Sequence, residues 1–174
     1  MRNVRVIESS MIYSGGSINL RKDKFLLNSK IVDKEIVGHQ DSVGIVAISD
    51  SSVILVTQYR RAANKVLLEI PAGKIEKDET PRQAAVREMA EEIGCAGILK
   101  PLLKWYLAPG YSTELMHVFV AMNLRKIARG LLDDDENIRI RKLRLSAAIK
   151  KCLNGKIKDA KTIAALLAYY NQSD

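Results

Sequence analysis

A chain of 174 residues with 47% hydrophobic content is long enough for one domain with a sizeable core, or one domain with a short appendage. Two cysteines, Cys95 and Cys152, are too few for a disulfide scaffold and point to a reducing cytoplasmic setting. The formal charge of +8 would suit a nucleic acid or a small anion, but Lys and Arg are spread along the chain and interrupted by acids, so a solvated basic surface without a nucleic-acid partner is expected.

The N-terminus, MRNVRVIESSMIY, has no sustained apolar run, and the longest one anywhere covers only residues 163–170, so neither secretion nor a membrane span is expected. Residues 4–40 read as short strands at 4–7, 11–13, 18–20, 25–27 and 30–37, with a turn at 14–17. Bulky core residues are few there. Residues 1–40 are therefore expected to form an antiparallel β segment that needs cover from the rest of the chain or from a second subunit, making a homodimer, with residues 41–174 as the main domain.

SVGIVAIS at 42–49 predicts a buried strand, 50–52 a turn, and VILVTQ at 53–58 the next strand, with Tyr59, Arg60 and Arg61 at its end. KVLLEI at 65–70 is a further strand leading into Pro71, Ala72 and Gly73. There a tight turn with positive φ at the glycine is expected.

Thr80 followed by Pro81 and Gln83 is a capping box with proline at the first helical position, and Gly94 closes the helix in the left-handed region. At roughly 100° per residue, Glu88, Glu91 and Glu92 share one face, while Ala85, Val86, Met89, Ala90 and Ile93 form the adjacent apolar face. Like charges at these spacings repel, so the ridge calls for a cation, and Mg2+ with its preference for oxygen ligands suits it. A solvated acidic face partly neutralised by Arg87, which reaches Glu91 at i+4, fits the spacing equally well.

Beyond Gly94, residues 99–107 read as one or two strands, 108–113 as a loop, 114–124 as a long buried strand, 130–137 as an acidic loop and 138–143 as a strand. Two helices follow at 146–152 and 162–170, separated by an Asn154–Gly155 turn. In the second, Ile163, Leu166, Leu167 and Tyr170 make an apolar stripe. Strand runs, one long helix, more strands and terminal helices suggest an α/β fold with a mixed sheet between helical layers.

What separates the two readings of the acidic helix is the whole string: Gly73, Glu79, Arg87-Glu88-Met89, Glu91-Glu92 and Gly94, with Cys95 where a larger aliphatic residue is usual. This resembles the Nudix box of the nucleoside-diphosphate-linked-moiety hydrolases, and the resemblance independently implies an α/β/α sandwich. Pro109, 15 residues after Gly94, together with Gln58-Tyr59-Arg60, LEIPAG at 68–73, GLLDDDENIR at 130–139 and the stretch from Gly155 to Thr162, is similar to the ADP-ribose pyrophosphatase branch.

The resemblance implies hydrolysis of ADP-ribose to AMP and ribose 5-phosphate with two or more Mg2+ ions, or Mn2+ in their place. Glu88 and Glu92, one turn apart, are expected as direct ligands, with Glu91 as a further or water-mediated one, and the resemblance implies the backbone carbonyl of Ala72 as a contributor. Arg87 would orient the carboxylates, and Glu79 and Gly73 would be structural. Acids of the 133–136 loop would serve as general base and extra ligand; Glu136 matches the branch pattern best, with Asp134 as rival, one methylene shorter than the glutamate common there. Arg60 would clamp the diphosphate, with Arg61 weaker, and Glu69 would hold hydroxyls of the terminal ribose. Phe25 and Tyr13 are candidate adenine walls.

Two rival readings remain. One is hydrolysis of another nucleoside diphosphate derivative, such as a sugar nucleotide or dinucleoside polyphosphate, because the acidic helix reads only phosphates. The other is a Nudix-like module that binds a nucleotide without cleaving it. Such a module would be expected to lose members of the acidic cluster, and this chain keeps Arg87, Glu88, Glu91 and Glu92.

Overall fold

Strands buried on both faces read as continuous apolar runs rather than as alternation, and the centre of this chain is built from such strands. The computed structural model describes residues 4–128 and 138–172. Two units are found: Met1–Asp41 with Trp105–Met116, and Ser42–Lys104 with His117–Asp174.

The first unit contains the antiparallel sheet β1(Arg5–Ser14), β2(Asn19–Leu27) and β3(Lys30–Gly38), in that order. The several short strands expected from sequence are three long ones. Two register shifts in β1, between Val6 and Glu8 and between Met11 and Tyr13, break the alternation that would have shown its length. Asn28 and Ser29 both take positive φ, 51° and 63°, and close β2 onto β3 as a two-residue hairpin turn. The 108–113 loop joins this unit: Val37 N–H donates to the Tyr111 carbonyl, and Thr113 N–H donates to that of Val37.

The second unit holds β4(Ser42–Ser49), β5(Ser52–Arg60), β6(Lys65–Glu69), β7(Ala72–Lys74), α1(Pro81–Ile93), β10(Arg139–Arg144), α2(Leu145–Leu153) and α3(Ala160–Gln172). Most of β8(Cys95–Tyr106) and β9(Leu115–Lys126) belongs to it as well. Its mixed seven-stranded sheet runs β10-β5-β4-β9-β8, with β6 paired to β5 and β7 to β4.

On one side, Val43, Ile45, Ala47 and Val56 of the sheet meet Ala84, Ala85, Met89 and Ile93 of α1. The intervening Val46, Val53 and Leu55 are fully buried outside that cluster, and α2 and α3 pack against β5 and β4. This is the expected α/β/α sandwich with an antiparallel β segment in addition. Among the described residues no helix is long and apolar enough to cross a membrane.

The helix caps follow the sequence closely. Thr80 accepts from the Gln83 N–H while the Gln83 side chain accepts from the Thr80 N–H, and Gly94 sits at φ 60°. The apolar face does not. Val86 is 48% exposed, whereas Glu88 and Glu92 are buried with Ala84, Ala85, Met89 and Ile93. The helix is rotated so that two of its glutamates point inward, with polar partners that offset the cost of burying them. On α3 the buried line is Thr162, Ala165 and Leu166, and Tyr170 of the expected stripe is exposed.

Gly73 does not take the left-handed conformation expected of it. It lies in strand β7, opposite Val43, and the left-handed glycines among the described residues are Gly94 and Gly155. What a side chain at position 73 would meet is the Glu88 carboxylate: a Cβ there would stand 1.8 Å from Glu88 Oε1 and 2.1 Å from Glu88 Cδ, so the carboxylate would have to move. The glycine lets the Glu88 carboxylate lie directly on the strand. Gly73→Ala is therefore expected to expel that carboxylate and lower stability by about 1–3 kcal/mol, the usual range for overpacking, as read by urea unfolding. Unchanged stability in that variant would show that Glu88 is not held against β7.

Candidate active site

Three carboxylates on one helical turn stay together only if donors take up their charge, and Arg87 supplies these at the centre of the group. Arg87 Nε and Nη2 each donate to Glu79 at 3.0 Å, Nη1 donates to Glu88 Oε1 at 2.8 Å and Glu91 Oε2 at 3.0 Å, and Nη2 also donates to the Lys74 carbonyl at 2.9 Å. All five guanidinium N–H groups are thereby used. The bond to Glu79, then the charge and bonds of Glu88 and Glu91, push the arginine pKa far up. In return the Arg87 bond holds the Glu79 carboxyl below its ordinary value. Glu79 also accepts from the Glu76 N–H, so the loop before α1 is fastened to the helix behind it.

Glu92, 1% exposed, accepts from the backbone N–H of Ala72 at 3.0 Å. With Glu88 lying on Gly73, the segment 72–73 meets the acidic helix at two successive residues. β6 brings that segment in from the edge of β5, and β7 carries it along β4, so the short crossing between two strands forms the floor under the glutamates.

Among the described residues no group of three or more His, Cys, Asp or Glu side chains is placed so that it could hold a metal ion as it stands. The donor chemistry nonetheless fits a hard divalent cation. Glu88, Glu91 and Glu92 are oxygen donors on one helix side, and the space cleared by Gly73 seats the first of them against backbone that carries further oxygen donors.

Beside this cluster lies a second one that sequence reasoning identified only in part. Arg60 at the end of β5 and Glu69 at the end of β6 form a two-pronged pair, Nε to Oε1 at 2.9 Å and Nη2 to Oε2 at 2.7 Å. Burial raises the Glu69 pKa, but Arg60 and Lys161 outweigh it and hold the carboxyl below its ordinary value. Arg60 is shifted up by its bond to Glu69, and the charges of Glu92 and Asp159 add to that. Glu69 is 1% exposed and already bonded to Arg60 and Lys161. Glu69 is the carboxylate on which the Arg60 guanidinium rests in this structure.

Lys161, Asp159 and Thr162 were not singled out from sequence. Lys161 donates to Glu69 and, at 2.8 Å, to Asp159 Oδ1. Asp159 accepts from the Thr162 N–H at 2.9 Å, three residues ahead, as an N-cap of α3 does. The available signal was this capping pattern, Asp159 three residues before Thr162 at the head of an apolar run.

Arg61 is exposed. Phe25 is half-buried on β2 opposite Val6 and Val32, and Tyr13 is exposed on β1; both belong to the first unit. Asp134 and Glu136, with the rest of residues 129–137, lie outside the described residues.

Residues 38–166 match the family model described as the NUDIX domain. The chain is 36% identical over 166 residues to the ADP-ribose pyrophosphatase of Bacillus subtilis (strain 168), covering 93% of this chain and 90% of that protein. It is 35% identical over 167 residues to the methanol dehydrogenase activator of Bacillus methanolicus, again covering 93% of this chain and 90% of that protein. A solved structure titled as that of an ADP compounds hydrolase matches with a TM-score of 0.88 at 22% identity, over 99% of this chain and 95% of that chain, which is a likeness of fold. Matched by the NUDIX family model over residues 38–166 and by a 36% identical relative along 93% of its length, this protein belongs to the Nudix hydrolase family.

Proposed function

We propose that the chain hydrolyses ADP-ribose to AMP and ribose 5-phosphate with Mg2+, or Mn2+ in its place, as cofactor. The observation that carries this reading is the meeting of Glu88 and Glu92 with the Ala72–Gly73 segment, next to an arginine that faces outward at 39% side-chain exposure. A diphosphate needs this combination: oxygen donors for its cations and a guanidinium for its own oxygens. The name of the 36% identical relative supports ADP-ribose as the compound that carries the diphosphate.

Glu88 and Glu92, with Glu91 and the Ala72 carbonyl, are the groups that would hold two or more ions; Glu136 of the 129–137 stretch would add a ligand. When bound, the cations neutralise charge growing on the diphosphate oxygens and make the attacking water more acidic. Arg87 keeps the glutamates in place and, with every N–H used, takes no part in proton transfer. Arg60 aligns the diphosphate. Water attacks one phosphorus in line, a P–O bond forms, the P–O–P bridge breaks, and the water proton passes to Glu136, with Asp134 as the rival base. No covalent enzyme intermediate is required.

A second reading rests on the same helix: it recognises phosphates only, so another nucleoside diphosphate derivative would satisfy it. A panel of ADP-ribose, ADP-glucose, GDP-mannose, NADH and diadenosine polyphosphates with Mg2+ separates the two by product analysis. ADP-ribose is expected to have the highest kcat/KM; no turnover of any member would end the enzymatic reading. Within the same assay Glu92→Gln is expected to lower kcat by about a hundredfold or more with an unchanged fold, in the range seen when a group acting on the developing charge is lost. A silent Glu136→Gln alongside an inactive Asp134→Asn would transfer the base to Asp134.

We also propose that residues 1–40 join two copies of the chain. Every residue of β1 is exposed, and Val6, Ile7, Met11, Ile12 and Ile31 are apolar side chains more than half exposed. A three-stranded sheet that buries so little needs an apolar partner surface. Sedimentation equilibrium is expected to give a dimer at micromolar concentration and a shift toward monomer in Met11→Glu/Ile31→Glu. A monomer for the unsubstituted chain would remove this assignment.

A further inference from the structure

A buried carboxylate needs one compensating cation, and Glu69 has two. They are not equivalent. The Arg60 side chain is 39% exposed, whereas that of Lys161 is 12% exposed and tied at its other side to Asp159. Asp159 in turn bonds the Thr162 backbone N–H at 2.9 Å and accepts from the Thr162 hydroxyl at 2.5 Å. That hydroxyl accepts from the buried Ile70 N–H at 2.8 Å, one residue after Glu69. Lys161 is thus fixed in a closed circuit between α3 and β6, while Arg60 touches the circuit only from its open side.

The charges of Arg60, Glu69, Lys161 and Asp159 cancel. If Arg60 turned away, one negative charge would be left over, and the N-terminus of α3 already stabilises the one on Asp159. Lys161 would then serve Glu69 alone. Without Lys161 the same movement would strand a buried carboxylate, which is the costly case.

We infer that Lys161 is a positioning residue: it keeps Glu69 compensated so that the Arg60 guanidinium can exchange its carboxylate for the diphosphate of the substrate. This rests on the diphosphate reading above, and it assigns the C-terminal helix a part in substrate binding that it performs without touching substrate. The lysine acts on affinity, because the circuit decides how readily Arg60 leaves Glu69.

The test is isothermal titration with inorganic pyrophosphate in the presence of Mg2+, a probe that carries no ribose or base. Lys161→Met is expected to bind about tenfold more weakly, a difference of about 1.4 kcal/mol, and Lys161→Arg to bind like the unsubstituted chain. Glu69→Gln/Lys161→Met is expected to recover to within about threefold, since a neutral amide places no charge on Arg60. Unchanged affinity in Lys161→Met overturns the inference, and so does a folded double variant that stays weak, because a purely structural lysine would not be rescued by removing the charge it faces. Should Lys161→Met fail to fold, the double variant decides in the same way. Absence of pyrophosphate binding by the unsubstituted chain also overturns it. Pyrophosphate binding without turnover of ADP-ribose sinks the substrate reading and leaves the lysine comparison decisive.

Discussion

The site depends on one costly constraint, the placement of three glutamates close together on a helix, two of them buried beside alanine, methionine and isoleucine. Isolated, that helix would either expose its acids or fail to dock. Arg87 resolves the conflict by spending every N–H it has: on Glu88 and Glu91, on the loop acid Glu79 and on the Lys74 carbonyl. Gly73 contributes by having no side chain, and the Ala72 N–H supplies a donor to Glu92. Together these contacts let the helix turn its acids toward the sheet rather than away from it.

That inward turn is where local pattern stopped being informative. The caps of α1 are set by contacts within four residues, and Thr80, Gln83 and Gly94 could be read directly. So could the 42–49 strand, whose apolar run matches β4 residue for residue. The azimuth of α1 was misjudged, because apolar periodicity assumes that carboxylates avoid the interior, and here they are buried by design of the neighbouring backbone. Gly73 was misread for a related reason. A glycine is consistent with positive φ or with close approach, and only the position of Glu88, 15 residues on, tells them apart. The Glu69–Lys161 contact spans 92 residues and left no trace in either local segment. In the first unit, two irregularities in β1 divided one long strand into apparent fragments.

Seen together, the two arginines that flank the acidic floor divide its work by how many bonds each has left to give. Arg87 is saturated, and its partners include both helix and loop, so moving it would release several buried or half-buried charges at once. Its bonds make the cluster rigid, which would suit the proposed role of the glutamates as oxygen donors to a cation with strict geometric demands. Arg60 makes one two-pronged pair with a single residue and faces outward, and that residue has a second cation in reserve. In the proposed role that bond would orient the guanidinium before substrate arrives, and exchange would leave the charge at Glu69 balanced by Lys161. A phosphate-binding arginine needs both properties. Held by nothing, it would lose conformational freedom on binding; held by a carboxylate with no other partner, it would have to abandon a buried charge. On the inference drawn for Lys161, the second cation on Glu69 would remove that dilemma and give the C-terminal helix, far from the acidic turn in sequence, a part in the site.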